Sequence, residues 1–535
     1  MTPRELIEAF ETLADAPDGV KRLRELVLQL AVQGKLLWRE AASRNGDPQK
    51  IPTHWTLRKL SELTLDFQNG LATRGGDGPP VVVLRLADIK KGRISDGPFR
   101  HINIPIDESR KYELFENDIL AIRVNGSVDL VGRLIRIDRA AGWAYCDHLI
   151  RLRLRTDAIL PEFLVLFGDT HQAREHLSSV TITTAGQRTV NQKGLGSLVV
   201  PLPPLAEQRR IVARVDELMG LLDRLEAARA VRDEIRRDAR DATLAALRDA
   251  EDTEAVEIAW ARISGQMDAL FNTPEDVVPL RQTILQLAVR ARLVPQDPFD
   301  EPGSLLAERL AQEKTNLHRG GLGPAPKPLD SIVTAPFSLP PSWTWVRADL
   351  ACSQIVDCLH RTPPYVETGF PAIRTCDVEP GRILVDRALR VDEPTFREQT
   401  QRLLPREGDV LYSREGGRFG IAAVVPQGVV LCLSQRMMQL RCLDSIDPEY
   451  FSWFLNSPFG FGQASADVGG SASPHVNISS IRQFLFPLPP EREQRRISGQ
   501  IKSMMALCED LEARLSTARE LQARFAAAAV HHLDV

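Results

Sequence analysis

Residues 201–211 read PLPPLAEQRRI and residues 487–497 read PLPPEREQRRI, so nine of eleven positions match at an offset of 286. A chain that repeats itself so closely must be read as two copies before anything else is asked of it. The repeat extends well beyond this motif. LRELVLQLAVQGKL at 23–36 matches LRQTILQLAVRARL at 280–293, and Trp55-Thr56 matches Trp343-Thr344. LRLADIKKGRI at 84–94 matches IRTCDVEPGRI at 373–383, sharing Arg85/Arg374 and Asp88/Asp377. DILAIRVNG at 118–126 matches DVLYSREGG at 409–417, and Val190-Asn191 matches Val476-Asn477. The offset grows from 257 to 286–291, which puts about 31 extra residues between Leu293 and Leu339 of the second copy. That stretch holds a short helical piece, SLLAERLAQEK, followed by the Gly/Pro-rich linker HRGGLGPAPKP.

Both copies keep one order of parts. A helical segment ends in the LQLAV run. About 150 residues of short β-rich segments follow, broken by glycines and prolines. PLPP is expected to end this globular part, because proline cannot continue a strand ladder. A long helix then begins. Its apolar positions are Ile211, Val215, Leu218, Leu222 and Leu225, matched by Ile497, Ile501, Met504, Cys508 and Leu511. Spacing by four and three gives a narrow coiled-coil-like stripe. The stripe predicts helix-on-helix packing, with apolar surface left over for a partner protein.

At 535 residues the chain exceeds one hydrophobic core and predicts at least two domains. Hydrophobic residues at 43% and charged residues at 26% describe a globular protein. No apolar run reaches the roughly 18 residues of a membrane helix, and the acids in MTPRELIEAFETL make a poor secretion signal. The seven cysteines form no CxxC pair and lack zinc-ligand spacing, which suits reduced thiols in a cytoplasm. A net charge of −4 neither favours nor excludes nucleic acid, since basic groups can gather on one face.

Catalytic signatures are missing. Thr362-Pro363-Pro364-Tyr365 imitates an adenine-methyltransferase motif but lacks its first residue and any preceding glycine loop, and reads as a proline turn. Asp88-Ile89-Lys90 imitates half of a nuclease motif, yet its twin Asp377-Val378-Glu379 has no lysine. No GxxxxGK[ST] loop exists for ATP, and the ten histidines do not cluster. A fused methyltransferase-nuclease is therefore disfavoured. A coiled-coil scaffold that binds no nucleic acid would leave both β-rich domains idle.

The paired PLPPxxEQRRI helix starts, the paired LR(E/Q)xxLQLAV helices, the stretch RLVPQDPFDEPGSLLAERLAQEK and the segment LPPSWTWV resemble the specificity subunits of Type I restriction-modification systems. The resemblance covers essentially the whole chain. It implies an α+β fold: two similar α/β target-recognition domains separated by long antiparallel coiled-coil-like helices, a tandem duplication with pseudo-twofold symmetry. The divisions it implies are an N-terminal helical region (1–45), a first target-recognition domain (46–205), a central helical repeat region and linker (206–338), a second target-recognition domain (339–490) and a C-terminal helix (491–535). Two readers related by a twofold suit a split DNA site.

By the same resemblance the chain is a non-catalytic, sequence-specific DNA-binding subunit. It would direct modification (methyltransferase) subunits, two of them, and restriction/translocase subunits to a bipartite site on double-stranded DNA in the cytoplasm, with no membrane involved. It would bind no cofactor itself. The partners would use S-adenosylmethionine, ATP and magnesium.

DNA-contact residues should be polar, in loops and near glycine. In the first domain these are Arg74, Arg123, Asn125, Gln187 and Arg188. In the second they are Arg361, Arg414, Arg418, Gln435, Arg436 and Ser473. The second domain contains no lysine. Arginine's planar fork suits guanine and phosphate, although a GC-rich genome produces the same bias. Asn191 and Asn477 read as helix N-caps, and Arg85/Arg374 as supports of the common fold. Residues that differ between the copies should carry specificity.

Overall fold

The structure is a computed structural model. It describes residues 13–37, 51–72, 75–90, 92–139, 142–184, 186–325, 329–466 and 475–534. The chain divides into two compact units, Met1–Arg232 with Ala518–Val535, and Asp233–Thr517.

In the first unit, helix α1 (Gly19–Val32) buries Leu23, Leu26, Val27 and Leu30, one face at helical spacing. Strand β1 (Thr56–Lys59) then pairs antiparallel with β12 (Val199–Leu202), so the β-rich part closes its last strand on its first. Between them lies a four-stranded antiparallel sheet in the order β2 (Thr64–Asn69), β9 (Leu149–Leu154), β5 (Ile119–Ile122), β7 (Leu134–Arg136). A second, mixed sheet holds β8 (Ala144–Tyr145) parallel to β3 (Pro80–Leu84), with β4 (His101–Asn103) on the far side of β3. A third sheet joins β6 (Val124–Asn125) to the hairpin of β10 (Ile182–Thr184) and β11 (Gln187–Thr189). Helices α2 (Pro161–Gly168) and α3 (His171–Ser179) precede that hairpin, and helix α4 (Leu205–Asp249) starts three residues after β12.

The second unit repeats this plan. Helix α5 (Val277–Val289) stands for α1. Strands β13 (Thr344–Arg347) and β21 (Leu485–Leu488) close the β-rich part. The four-stranded sheet runs β14 (Cys352–Asp357), β20 (Met437–Cys442), β17 (Val410–Ser413), β18 (Ala422–Val424). In the mixed sheet β15 (Phe370–Ile373) lies between β16 (Leu389–Val391) and β19 (Cys432–Leu433). Helices α7 (Pro448–Asn456) and α8 (Pro458–Ala466) follow, and α9 (Glu491–Asp534) starts after β21. The extra residues of this copy form helix α6 (Gly303–Arg319), which buries Leu306 and Leu310. Gly303 N–H donates to Ser342 at 2.7 Å, and a Cβ there would collide with the Leu488 carbonyl, so glycine is required.

Sequence alternation in the central strands is muted because the sheet is covered on both faces. All four residues of β5 are buried. Ile119 and Ala121 join a core with Phe163, Phe167 and α1, while Leu120 and Ile122 face a second core with Leu84, Tyr145 and Leu149. Alternate residues of a strand point to opposite faces, so a continuous apolar run is what two cores demand.

Two expectations are corrected. The stripe after PLPP does not stay open. Ile211, Val215, Leu218 and Leu222 are buried in one core with Leu23, Leu26, Val27 and Leu30, and Ile497, Ile501, Met504, Cys508 and Leu511 are buried with Leu280, Ile284 and Leu287. The helix-on-helix packing is internal to each unit. Nor does PLPP stop the ladder at its first proline. Pro201 pairs with Leu57 and Pro487 with Trp345 inside their strands. A two-stranded ladder has an open edge on each strand, and proline's missing donor is tolerated there.

Candidate nucleic-acid interface

The frame that positions the candidates is built from one buried carboxylate. Asp118, just before β5, accepts Phe115 N–H at 2.9 Å and both Nε and a terminal nitrogen of Arg153, at 2.9 and 2.8 Å. Its twin Asp409 accepts Arg406 N–H at 2.8 Å and Arg441 at two points, both 2.8 Å. Two-point pairing fixes direction as well as distance, so each copy launches its β5 or β17 strand from the same anchor.

That strand leads to Arg123 and Arg414. Arg123 N–H donates to the His148 carbonyl at 2.8 Å, and its own carbonyl accepts Val190 N–H at 3.0 Å. Arg414 makes the same two bonds, to the Arg436 carbonyl at 3.0 Å and from Val476 N–H at 2.8 Å. A corner, a central arginine and a returning segment are thus laced by main-chain bonds in both copies, the segment being a strand end in the first and following the isolated bridge Glu415–His475 in the second. In the first copy this brings four candidates together. Arg188 is the direct cross-strand partner of Asn125, Gln187 precedes it, and Arg123 stands two residues before Asn125. Gly186 turns the hairpin at φ +80°, a conformation that favours glycine. Gln187 is exposed and Arg123, Asn125 and Arg188 are half-buried. The Arg123 guanidinium is tied to the Asp147 carbonyl at 3.1 Å, and the Asn125 side chain accepts Ser127 N–H at 2.8 Å.

In the second copy Gln435 and Arg436 form the corner itself, with Arg436 exposed beside Glu415. Arg418 is exposed and donates to the Val378 carbonyl at 3.0 Å. Arg361 lies on a separate loop, exposed and paired with Glu398. Arg414 is a correction. It is buried, 7% exposed, with its guanidinium on Asp357. An arginine enclosed this way orders the corner rather than reaching a base. Arg74 and Ser473 lie outside the described residues.

Other readings resolve locally. Asp88 is occupied by Arg85, which offers it the backbone N–H at 2.8 Å and its guanidinium at 3.1 Å. Asp377 is held by Arg374 in the same way, so the nuclease-like triplet begins with a structural cap. Asn191 caps its helix by accepting Gly194 N–H at 2.7 Å, whereas Asn477 holds the cap position without a side-chain bond. Tyr365 of the methyltransferase-like turn reaches Ser434 at 3.1 Å, at the base of the second corner. Cys146, Asp147 and His148 place a sulfur, a carboxylate oxygen and an imidazole nitrogen within 4.8 Å of one another, a set that could hold a metal ion. Sequence spacing gave no sign of it, because the three residues are consecutive.

The family model described as the Type I restriction modification DNA specificity domain matches residues 91–232 and again 390–518. The two matches fall one in each copy, and together they cover half the chain. The chain belongs to the Type I restriction-modification DNA specificity family. Among its relatives, the Type I restriction enzyme EcoEI specificity subunit of Escherichia coli is 27% identical, over 95% of this chain and 93% of that one. The StySPI specificity subunit of Salmonella potsdam is 40% identical over 216 residues, 40% of this chain and 45% of that one. A crystal structure of the HsdS subunit from Thermoanaerobacter tengcongensis is 18% identical, with TM-score 0.43 over 91% of this chain and 99% of that one.

For this member of the specificity family, Asp147 and His148 escaped the sequence reading although Gln435 and Arg436 did not. Ala144-Tyr145 aligns with Cys432-Leu433 in matching parallel strands, which places His148 opposite Arg436 by count.

Proposed function

We propose that this chain is the address-reading subunit of a Type I restriction-modification complex, binding a bipartite site on double-stranded DNA and directing modification and restriction subunits to it. The observation that carries the reading is one frame built twice with different side chains on it. The supports recur as pairs: Asp118–Arg153 with Asp409–Arg441, and Arg85–Asp88 with Arg374–Asp377. The presented residues do not recur: Asn125 stands opposite Gly416, and His148 opposite Arg436. Two readers with different side chains suit two half-sites of different sequence.

In this reading the chain supplies no chemistry. Two modification subunits bring S-adenosylmethionine, and restriction subunits bring ATP- and magnesium-dependent translocation and cleavage. No helix among the described residues is long and apolar enough to cross a membrane, and the reading puts the protein in the cytoplasm with the DNA. The test is a gel shift with the modification subunit present, followed by mapping of methylated adenines. A two-part consensus that disappears when this chain is omitted supports the reading. Methylation of the same sites without it refutes the reading.

A further inference from the structure

The corners at 146–148 and 434–436 carry an inference that rests on the DNA-reading role proposed above. Each follows a short strand running parallel to β3 or β15, and each is pinned at both ends by the same main-chain bonds. Cys146 N–H donates to Leu84 at 2.9 Å and Ser434 N–H to Ile373 at 2.9 Å. At the other end the carbonyls of His148 and Arg436 accept from Arg123 and Arg414. The two ends of each corner are therefore spent on the frame, and between them the corner presents its second and third side chains, half-buried and exposed. His148 and Arg436 are exposed, and Asp147 and Gln435 are half-buried. The first residue points inward in the second copy, where Ser434 is fully buried.

The frame is shared but its side chains are not: Cys-Asp-His in one copy, Ser-Gln-Arg in the other. These types differ in hydrogen-bond code. Arginine suits the O6/N7 edge of guanine, glutamine the N6/N7 edge of adenine, and an acidic side chain accepts from the cytosine amino group. An imidazole can donate or accept through one nitrogen. Arg436 also occupies φ +71°, a left-handed conformation that glycine would take more easily. A bulky residue kept there is a sign that its side chain is used.

We propose that these corners are equivalent base-reading positions, Asp147 and His148 reading one half-site and Gln435 and Arg436 the other. A metal at Cys146, Asp147 and His148 is the competing role. The second copy builds the same corner with serine, glutamine and arginine, so the frame does not depend on one.

The test uses the full chain assembled with its modification subunits and a pool of randomised duplexes, read out by adenine methylation. The variant is Asp147→Gln with His148→Arg, which writes the second corner's side chains into the first. The expected result is altered preference at one or two adjacent base pairs of one half-site, on the order of 10- to 100-fold, with the other half-site unchanged. His148→Ala alone should relax preference at one of those positions while leaving the unfolding midpoint where it was. Unchanged preference in both variants, with the parent still methylating a two-part sequence, overturns the proposal. Loss of that half-site from the parent on adding EDTA beyond what magnesium restores, with recovery on zinc, also overturns it in favour of a metal site. A parent that methylates no two-part sequence instead sinks the wider DNA-reading role.

Discussion

Gln208 Oε1 accepts the backbone N–H of Leu160 at 2.8 Å, across 48 positions of chain. Its amide donates back to the carbonyls of Ala158 and Pro203, at 3.0 and 2.8 Å. The twin, Gln494, accepts Asp447 N–H at 2.8 Å and donates to Pro489 at 3.2 Å. Both glutamines are fully buried. The repeated EQRR motif is thus a latch between the first turn of each long helix and the loop before α2 or α7.

Removing the latch strands a buried backbone donor as well as losing its bonds. Gln208→Ala and Gln494→Ala should each destabilise their own unit by about 1–3 kcal/mol. The measurement is domain-resolved hydrogen exchange. Loss of protection confined to the unit carrying the substitution is expected, and equal loss in both units would deny the latch its local role.

Glu493 titrates out of its usual range. Burial pushes its carboxyl from the ordinary 4.5 up to about 7, against the opposing pull of the Gln296 hydrogen bond and Arg496, with Asp300 adding to the rise. A carboxyl whose folded value is raised binds its proton more tightly when folded. Its contribution to stability is complete below about pH 4.5 and is lost as pH climbs through 7. Glu493→Gln keeps an oxygen for Gln296 and removes the charge. The variant's thermal midpoint should therefore gain on the parent's between about pH 5 and pH 8. A constant difference across that range would show that Glu493 does not titrate there.

Arg414 and Arg436 lie one main-chain bond apart and should behave oppositely. Arg414→Ala leaves Asp357 without its buried partner and should cost about 3 kcal/mol. Arg436→Ala removes an exposed side chain and should change stability by less than about 0.5 kcal/mol, while weakening discrimination at one base pair. Denaturant unfolding paired with methylation of single-base-variant sites separates the two. Loss of stability in Arg436→Ala, or of base preference alone in Arg414→Ala, would reverse the assignment.

The repeat made the fold legible because a duplicated sequence repeats its supports: the Arg85–Asp88 and Arg374–Asp377 caps and the two apolar stripes were visible by alignment. Burial was less legible. Arg414 reads as a loop arginine between glycine-rich turns, and nothing local announces that Asp357, 57 positions earlier, encloses it. The stripe residues were visible, but not that α1 and α5 would cover them within each unit. His148 was missed because a lone histidine in a β-rich stretch has no local signature, and its place is marked by the fold, through the parallel strand before it and the returning bond from Arg123.

The central claim is that each β-rich domain reads one half of a split site. Replacing residues 339–486 with the corresponding domain of a family member of different specificity tests it most directly. Sequencing of methylated adenines in cells carrying the chimera should show one half-site replaced, the other retained, and methylation still dependent on this subunit. A chimera that assembles and methylates, but changes both half-sites or neither, would contradict the account.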